Sequence, residues 1–322
     1  MTTLSTVVDS KFSSIMIEQL QRKHISTVIQ FIDEDNEKLA TFTGLSLKDI
    51  LEIKQNILKK YGTTVKNAFH LFEIEQNNIV PTNLSSLDNL LKGGLYYGQI
   101  YEICGISSSG KTQLCFAIAT NIALKPNNLV RYIDTKRDFC GSRIEQILLK
   151  KNCSKQVISE TMERIKVCCV YNIHQLFKIL HWLTVALKEE SEECRTRIVI
   201  IDSLPAIIFK YSKSHKTTIT LNHLANICHF IAEEFRLSII SVNLITQWTT
   251  TVNEEETSTC SNKKCSDVIP TLGKYWSHVP NTRLLLEKVE LQNRKISIWN
   301  SFQLEANLSC ILTINDSGVA CS

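Results

Sequence analysis

Eight consecutive residues, Gly105-Ile106-Ser107-Ser108-Ser109-Gly110-Lys111-Thr112, read G-x-x-x-x-G-K-T, a spacing whose chemistry is the cradling of phosphate. The two glycines let the backbone curl so that successive N–H groups point inward at anionic oxygens, and the helix expected to follow adds its positive end. Lys111 is placed to reach the β- and γ-phosphates, and the Thr112 hydroxyl to hold Mg²⁺; Gln113 completes the set of expected nucleotide contacts. Further along, Ile198-Val199-Ile200-Ile201 ends in Asp202. A carboxylate at the carboxyl end of an apolar strand can hold a water on Mg²⁺ beside Thr112. A nucleotide with Mg²⁺ is therefore the expected ligand, and Thr112 and Asp202 are the candidate metal residues. The eight histidines form no triad or metal constellation, and Ser203, next to Asp202, has no base partner.

These residues need a frame to hold them. Gln99 to Cys104 alternates like a short strand, and Leu114, Ile118 and Ile122 recur at helical spacing, so the phosphate loop joins a strand to a helix. The pattern then continues. Strands are expected at Leu129–Asp134, Ile165–Val170, Arg197–Asp202 and Leu237–Val242, and helices at Ser142–Lys151, Ile173–Lys188 and Leu221–Phe235. Near-continuous apolar strands separated by helices predict a mostly parallel sheet covered on both faces. Thr282–Lys288, Lys295–Trp299 and Leu308–Ile314 lie close together and predict an antiparallel extension of that sheet. Ahead of it, helix-spaced pairs such as Val28 with Ile32, and the run Ile50-Ile53-Ile57, predict a small all-α domain over residues 1–61, with Ser46 as an N-cap after Gly44. Two short helices joined at a glycine suggest a helix-hairpin-helix that holds DNA phosphate; a protein-docking bundle fits equally. Residues 62–78 read as a linker and residues 79–322 as the α/β core.

Composition agrees with a folded chain. Its 322 residues are 43% hydrophobic, ample for a sizeable core with a smaller companion. A net charge of +4 is too small to argue for nucleic acid alone. Twelve cysteines without a C-x-x-C read as reduced thiols of a cytosolic or nuclear protein, and Cys260 with Cys265 lacks the spacing of an ordinary zinc clamp. Met1 to Ser14 lacks the basic start and apolar centre of a secretory signal, and no apolar run is long enough to suggest a membrane span.

Several longer runs resemble a known family. Ser86-Leu87-Asp88-Asn89-Leu90-Leu91-Lys92-Gly93-Gly94-Leu95, then the phosphate loop, then Tyr132-Ile133-Asp134-Thr135, and Pro270-Thr271-Leu272-Gly273-Lys274-Tyr275-Trp276-Ser277 resemble the RecA/RadA-type strand-exchange recombinases. The helical domain before the core is similar to their eukaryotic and archaeal branch, and the motifs are nearest its DNA-repair paralogues. The resemblance implies a RecA-like P-loop ATPase core, and it places Arg143 where the family stacks an arginine on adenine. It also exposes departures. The family's catalytic glutamate position holds Lys136, its γ-phosphate-sensing glutamine becomes Leu244 after Asn243, and the segment that caps a neighbour's ATP reads Asn300-Ser301-Phe302. Loss of a general base typically costs about 10²- to 10⁴-fold in rate, so feeble hydrolysis is expected.

Of the two DNA-facing loops of the family, the first maps to residues 209–216, with Lys210, Lys213, Lys216 and Tyr211 suited to phosphates and bases of single-stranded DNA. The second, Gln247 to Pro270, mixes Trp248 and Lys263-Lys264 with Glu254-Glu255-Glu256, which repel phosphate. The family's self-assembly motif, phenylalanine-x-x-alanine, is here Phe69-His70-Leu71-Phe72, too bulky for the same small pocket, so a homo-filament is not expected. The resemblance implies instead a nuclear accessory subunit of homologous recombination, working in a hetero-complex with other recombinase paralogues. A genuine DNA-dependent ATPase using Asp134 or Asp138, and a P-loop kinase for a small metabolite, are the competing readings.

Overall fold

Residues 198–201 show how the core is built. Successive strand residues point to opposite faces, and here both faces are apolar: Ile198 and Ile200 enter one buried cluster, Val199 and Ile201 the other. The computed structural model describes residues 3–5, 8, 9, 11–62, 67–191, 193–211, 217–248 and 267–321. It divides into two compact units, Met1–Glu73 and Ile74–Ser322.

In the larger unit β1 (Ile79–Val80) and β2 (Leu95–Tyr96) pair antiparallel around α6 (Ser85–Leu90). The main sheet is entered at β3 (Ile100–Gly105), followed by α7 (Lys111–Ala123), β4 (Asn128–Asp134), α8 (Gly141–Lys150), α9 (Lys155–Arg164) and β5 (Ile165–Cys169). Then come α10 (Ile173–Glu189), β6 (Arg195–Asp202), α11 (Leu204–Tyr211), α12 (Thr217–Glu234), β7 (Ser238–Trp248), β8 (Asp267–Pro270) and α13 (Gly273–Trp276). The chain closes on β9 (Thr282–Lys288), β10 (Asn293–Ser301), β11 (Ser309–Asn315) and β12 (Gly318–Cys321). Strand order is β12-β11-β10-β9-β3-β7-β6-β4-β5, with β8 paired to the end of β7. α7, α8 and α9 cover one face, and α10, α11 and α12 the other. This is the parallel, doubly covered sheet expected from the strand pattern.

The three C-terminal segments pair antiparallel to one another as expected, β9 with β10 and β10 with β11; β9 joins them to the core by lying parallel to β3, with Tyr101 opposite Thr282 and Cys104 opposite Leu285. The connection from β7 is long enough to carry the chain back for a parallel crossover, which a hairpin is not. Within the expected linker 62–78, Ala68–Gln76 forms a helix, α5. No proline or glycine interrupts residues 67–76, and Asn67 Oδ1 accepts the His70 N–H at 2.8 Å, a cap for an orphan donor. α5 exposes Phe69, Leu71 and Phe72.

The smaller unit holds α1 (Ser14–Arg22), α2 (Val28–Asp33), α3 (Asn36–Thr43) and α4 (Leu47–Tyr61). Leu20, Phe31, Leu39, Ile50, Ile53 and Ile57 are wholly buried, so one face of each helix faces a shared centre. Gly44 ends α3 with φ +71°, and the Ser46 hydroxyl caps α4 by accepting the Asp49 N–H at 3.2 Å.

Candidate nucleotide-binding site

Sheet register assembles the site. β3 and β7 run parallel with Gly105 opposite Leu244, while β4 and β6 place Asp134 opposite Asp202. The carboxyl ends of these strands therefore open together, where ligands bind in α/β sheets of this kind. The cavity there measures about 510 Å³, within the ordinary range for small-molecule sites. Ser107, Ser108, Gly110, Lys111, Thr112, Gln113, Lys136, Asp138, Leu244 and Arg294 are among its lining residues.

The phosphate loop runs from β3 into α7, whose first N–H groups have no partner inside the helix. Both glycines are required by shape. A Cβ at Gly105 would stand 2.5 Å from Leu286 O and 2.6 Å from Ser109 Oγ. Gly110 takes φ +106°, and a Cβ there would collide with Ile314 Cδ1. Lys111 Nζ donates to the carbonyls of Gly105 at 2.8 Å and Ile106 at 2.6 Å. Burial, then the nearby Lys136 ammonium, lower the Lys111 pKa to about 8. Residues far along the chain brace the loop: Arg294 Nε, from β10, donates to Ser109 O at 2.9 Å. Arg294 gave no signal in the sequence, since a lone arginine in an alternating strand reads as a surface residue.

Asp202, at the end of β6, is buried. Its Oδ2 accepts from the Thr112 hydroxyl at 2.6 Å and from the Tyr132 hydroxyl at 3.0 Å. Its Oδ1 has no aligned hydrogen bond but lies 3.2 Å from Lys136 Nζ. That ammonium also lies 3.0 Å from Asp138 Oδ2 and 3.4 Å from Thr112 Oγ1. Burial pulls the Lys136 pKa down, but Asp202 and Asp138 outweigh it, and the net shift is upward. Lys136 therefore stays protonated and cannot act as a base. Thr112 and Asp202 supply the hard oxygen ligands that Mg²⁺ prefers. A metal between them would have to displace the Lys136 ammonium.

Neither aspartate offered as a substitute base is free. Asp134 Oδ1 accepts the N–H groups of Lys136 at 3.0 Å, Arg137 at 2.9 Å and Asp138 at 3.3 Å, and its Oδ2 accepts Phe139 N–H at 2.9 Å. It is a buried pin for the loop after β4. Asp138 lines the cavity but pairs with Lys136. At the sensor position Leu244 presents an apolar side chain. Asn243 turns away, donating to Glu102 Oε1 at 2.8 Å and accepting from the Thr271 hydroxyl at 2.8 Å. Trp276 Nε1 reaches the same Glu102 oxygen at 2.8 Å, and Arg283 pairs with its other one. The Leu-Gly-Lys-Tyr-Trp-Ser run thus serves a buried polar network behind the site.

Arg143 is held by Gln113 Oε1 at 3.0 Å, Gln146 Oε1 at 2.7 Å and the carbonyls of Asn315 and Asp316 at 2.6 and 2.7 Å; it is not among the cavity residues. Its hydrogen bonds tie α8 to the β11–β12 turn. Lys210 is exposed in the last turn of α11, a helix that extends through Tyr211 where a loop was expected. Lys213 and Lys216, and residues 249–266 of the second expected DNA loop, lie outside the described residues. Among the described residues no group of His, Cys, Asp and Glu could hold a metal by itself, and no helix is long and apolar enough to cross a membrane.

Fold and site together define a RecA-like P-loop protein. The Rad51 family profile matches residues 76–322, and the chain belongs to that family. A separate profile, described as the RAD51D N-terminal domain, matches residues 1–59. The chain is similar to DNA repair protein RAD51 homolog 4 of Bos taurus, 28% identical over 281 residues that cover 85% of this chain and 82% of the relative. The mouse protein of that name is 27% identical over 85% of this chain and 81% of its own length. DNA repair protein RAD51 homolog 2 of Mus musculus is 25% identical over 94% of each chain.

Proposed function

We propose that this protein is an ATP-binding accessory subunit of homologous-recombination repair, acting in the nucleus within a hetero-complex of recombinase paralogues that assists the strand-exchange recombinase on single-stranded DNA. One observation carries the reading: the phosphate cradle is intact, while the position from which the family draws its general base holds a cation bound to Asp202. Such a site is suited to retaining ATP more than to hydrolysing it. ATP is then a structural ligand, and at about 100 times its dissociation constant a ligand stabilises the bound form by roughly 2.7 kcal/mol. That is enough to bias an assembly without turnover.

Three features support the partner reading. The relatives named above are DNA repair proteins. α5 presents Phe69, Leu71 and Phe72 to solvent on the segment that carries the family's assembly motif. Among the described residues β5 ends the sheet with one edge unpaired, and Val167 and Trp182 are exposed beside it; an open strand edge invites pairing with another chain. Lys210 is exposed for a phosphate, and it serves single-stranded DNA in this reading.

The test measures ATP binding and single-turnover hydrolysis with and without single-stranded DNA. Expected are ATP binding that Lys111→Ala abolishes, and turnover at least about 10²-fold below that of an active recombinase. Turnover equal to such an enzyme would favour the ATPase reading, with Asp138, which faces the cavity, as its base; Asp138→Asn would then abolish it.

A further inference from the structure

We propose that the Lys136 ammonium is the resident cation of this nucleotide site, standing in place of Mg²⁺, and that the protein takes metal-free ATP. This rests on the reading that the cavity binds ATP and adds which ionic form it accepts. The argument starts from position. A divalent metal at this P-loop would be held by the Thr112 hydroxyl and the acid at the end of β6, and would neutralise charge on the outer phosphates. Lys136 Nζ lies 3.4 Å from that hydroxyl and 3.2 Å from Asp202 Oδ1, the oxygen that the hydroxyls of Thr112 and Tyr132 leave open. It lies 3.0 Å from Asp138 Oδ2 on the cavity wall. Three oxygens, two of them on the residues that would hold a metal, thus surround one positive charge.

Backbone geometry holds the lysine there. The loop after β4 is wound about Asp134, which receives the Lys136 N–H at 3.0 Å and three more N–H groups. The start of the side chain is thereby fixed, and its ammonium reaches Asp202 Oδ1 at 3.2 Å. Mg²⁺ demands oxygen at about 2.0–2.1 Å in near-ideal octahedral geometry and gives up its waters reluctantly. An ammonium has no such demand: it keeps its contacts to Asp202 and Asp138 and can still direct a proton at a phosphate oxygen. Lys111 lines the same cavity, so two cations face it. The Thr112 hydroxyl donates to Asp202 and accepts from Lys136.

The experiment is calorimetric titration of ATP into the intact protein in excess EDTA and again in excess Mg²⁺, for wild type, Lys136→Met and Lys136→Glu, with a thermal melt of each to establish folding. In wild type the two affinities agree within about threefold. Lys136→Met loses at least about tenfold (about 1.4 kcal/mol) in EDTA and recovers with Mg²⁺. Lys136→Glu, which sets a third carboxylate beside Asp202 and Asp138, binds only with Mg²⁺. A wild-type affinity that falls tenfold or more in EDTA overturns the proposal while leaving ATP binding intact, and this comparison needs no variant to fold. An absence of ATP binding under both conditions overturns the ATP reading and this proposal with it.

Discussion

Lys111 and Lys136 are two ammonium groups on one cavity with different tasks and opposite pKa shifts. Burial, then repulsion from Lys136, lower Lys111 to about 8, whereas Lys136 is raised once Asp202 and Asp138 overcome its burial. Bound phosphate favours the charged form of Lys111, so its pKa in the complex stands above that of the free site. Below about 8 both states carry the proton and affinity is flat. As pH rises past about 8 the free protein loses the proton that the complex keeps, and ATP affinity falls by up to about tenfold per unit. Titrations from neutral to moderately alkaline pH check this; a constant affinity across that span would mean that Lys111 carries no charge to the phosphates. Sequence foretold Lys111 because its type and spacing are the motif itself. It marked Lys136 only as a missing glutamate. What fills the place of a lost group depends on where the replacement side chain reaches, and spacing does not encode reach.

At the level of elements, the loop between β3 and α7 is shaped from both sides. β10 and β11 lean over it through Arg294 and Ile314, and Gly110, at φ +106°, takes a backbone conformation that other residues rarely adopt. Behind it Glu102 on β3 is wholly buried with Arg283 on β9, Asn243 on β7 and Trp276 on α13 as partners. Burying ions stabilises little on balance, but removing one partner strands the other. Arg283→Met is therefore expected to destabilise the core unit by about 3–5 kcal/mol, read as a lower midpoint for its transition in urea, with the smaller unit's transition unmoved. A change below about 1 kcal/mol would show that the network is dispensable. The strands were legible because runs such as 198–201 are apolar on both faces, and their ends fell within two residues of expectation except at β7, which runs six residues further, to Trp248. The parallel pairing of β9 was not legible, because orientation is set by the path of the connection and a strand's own residues do not record it. α11 was hidden in the same way. Its residues Phe209 to Tyr211 mix charge and aromatics like a loop, and burial of Leu204, Ile207 and Ile208 against the sheet makes the helix.

At the scale of the molecule, two surfaces stand uncovered among the described residues: the β5 edge and the phenylalanine side chains of α5. Purified alone with ATP, it is expected to scatter light as a small species, and to enter a larger particle of defined mass only with other recombinase paralogues. Long ATP-dependent filaments of this chain by itself would refute that expectation. The sequence by itself determined the phosphate cradle, the helical unit followed by an α/β core, and the family, since each rests on local spacing or alternation that survives in one dimension. Only the tertiary structure decided that Asp134 is consumed in pinning a loop, that Arg294 braces the cradle, and that Lys136 stands between Thr112 and Asp202. Those assignments depend on distances between side chains far apart in sequence, and sheet register is what sets those distances.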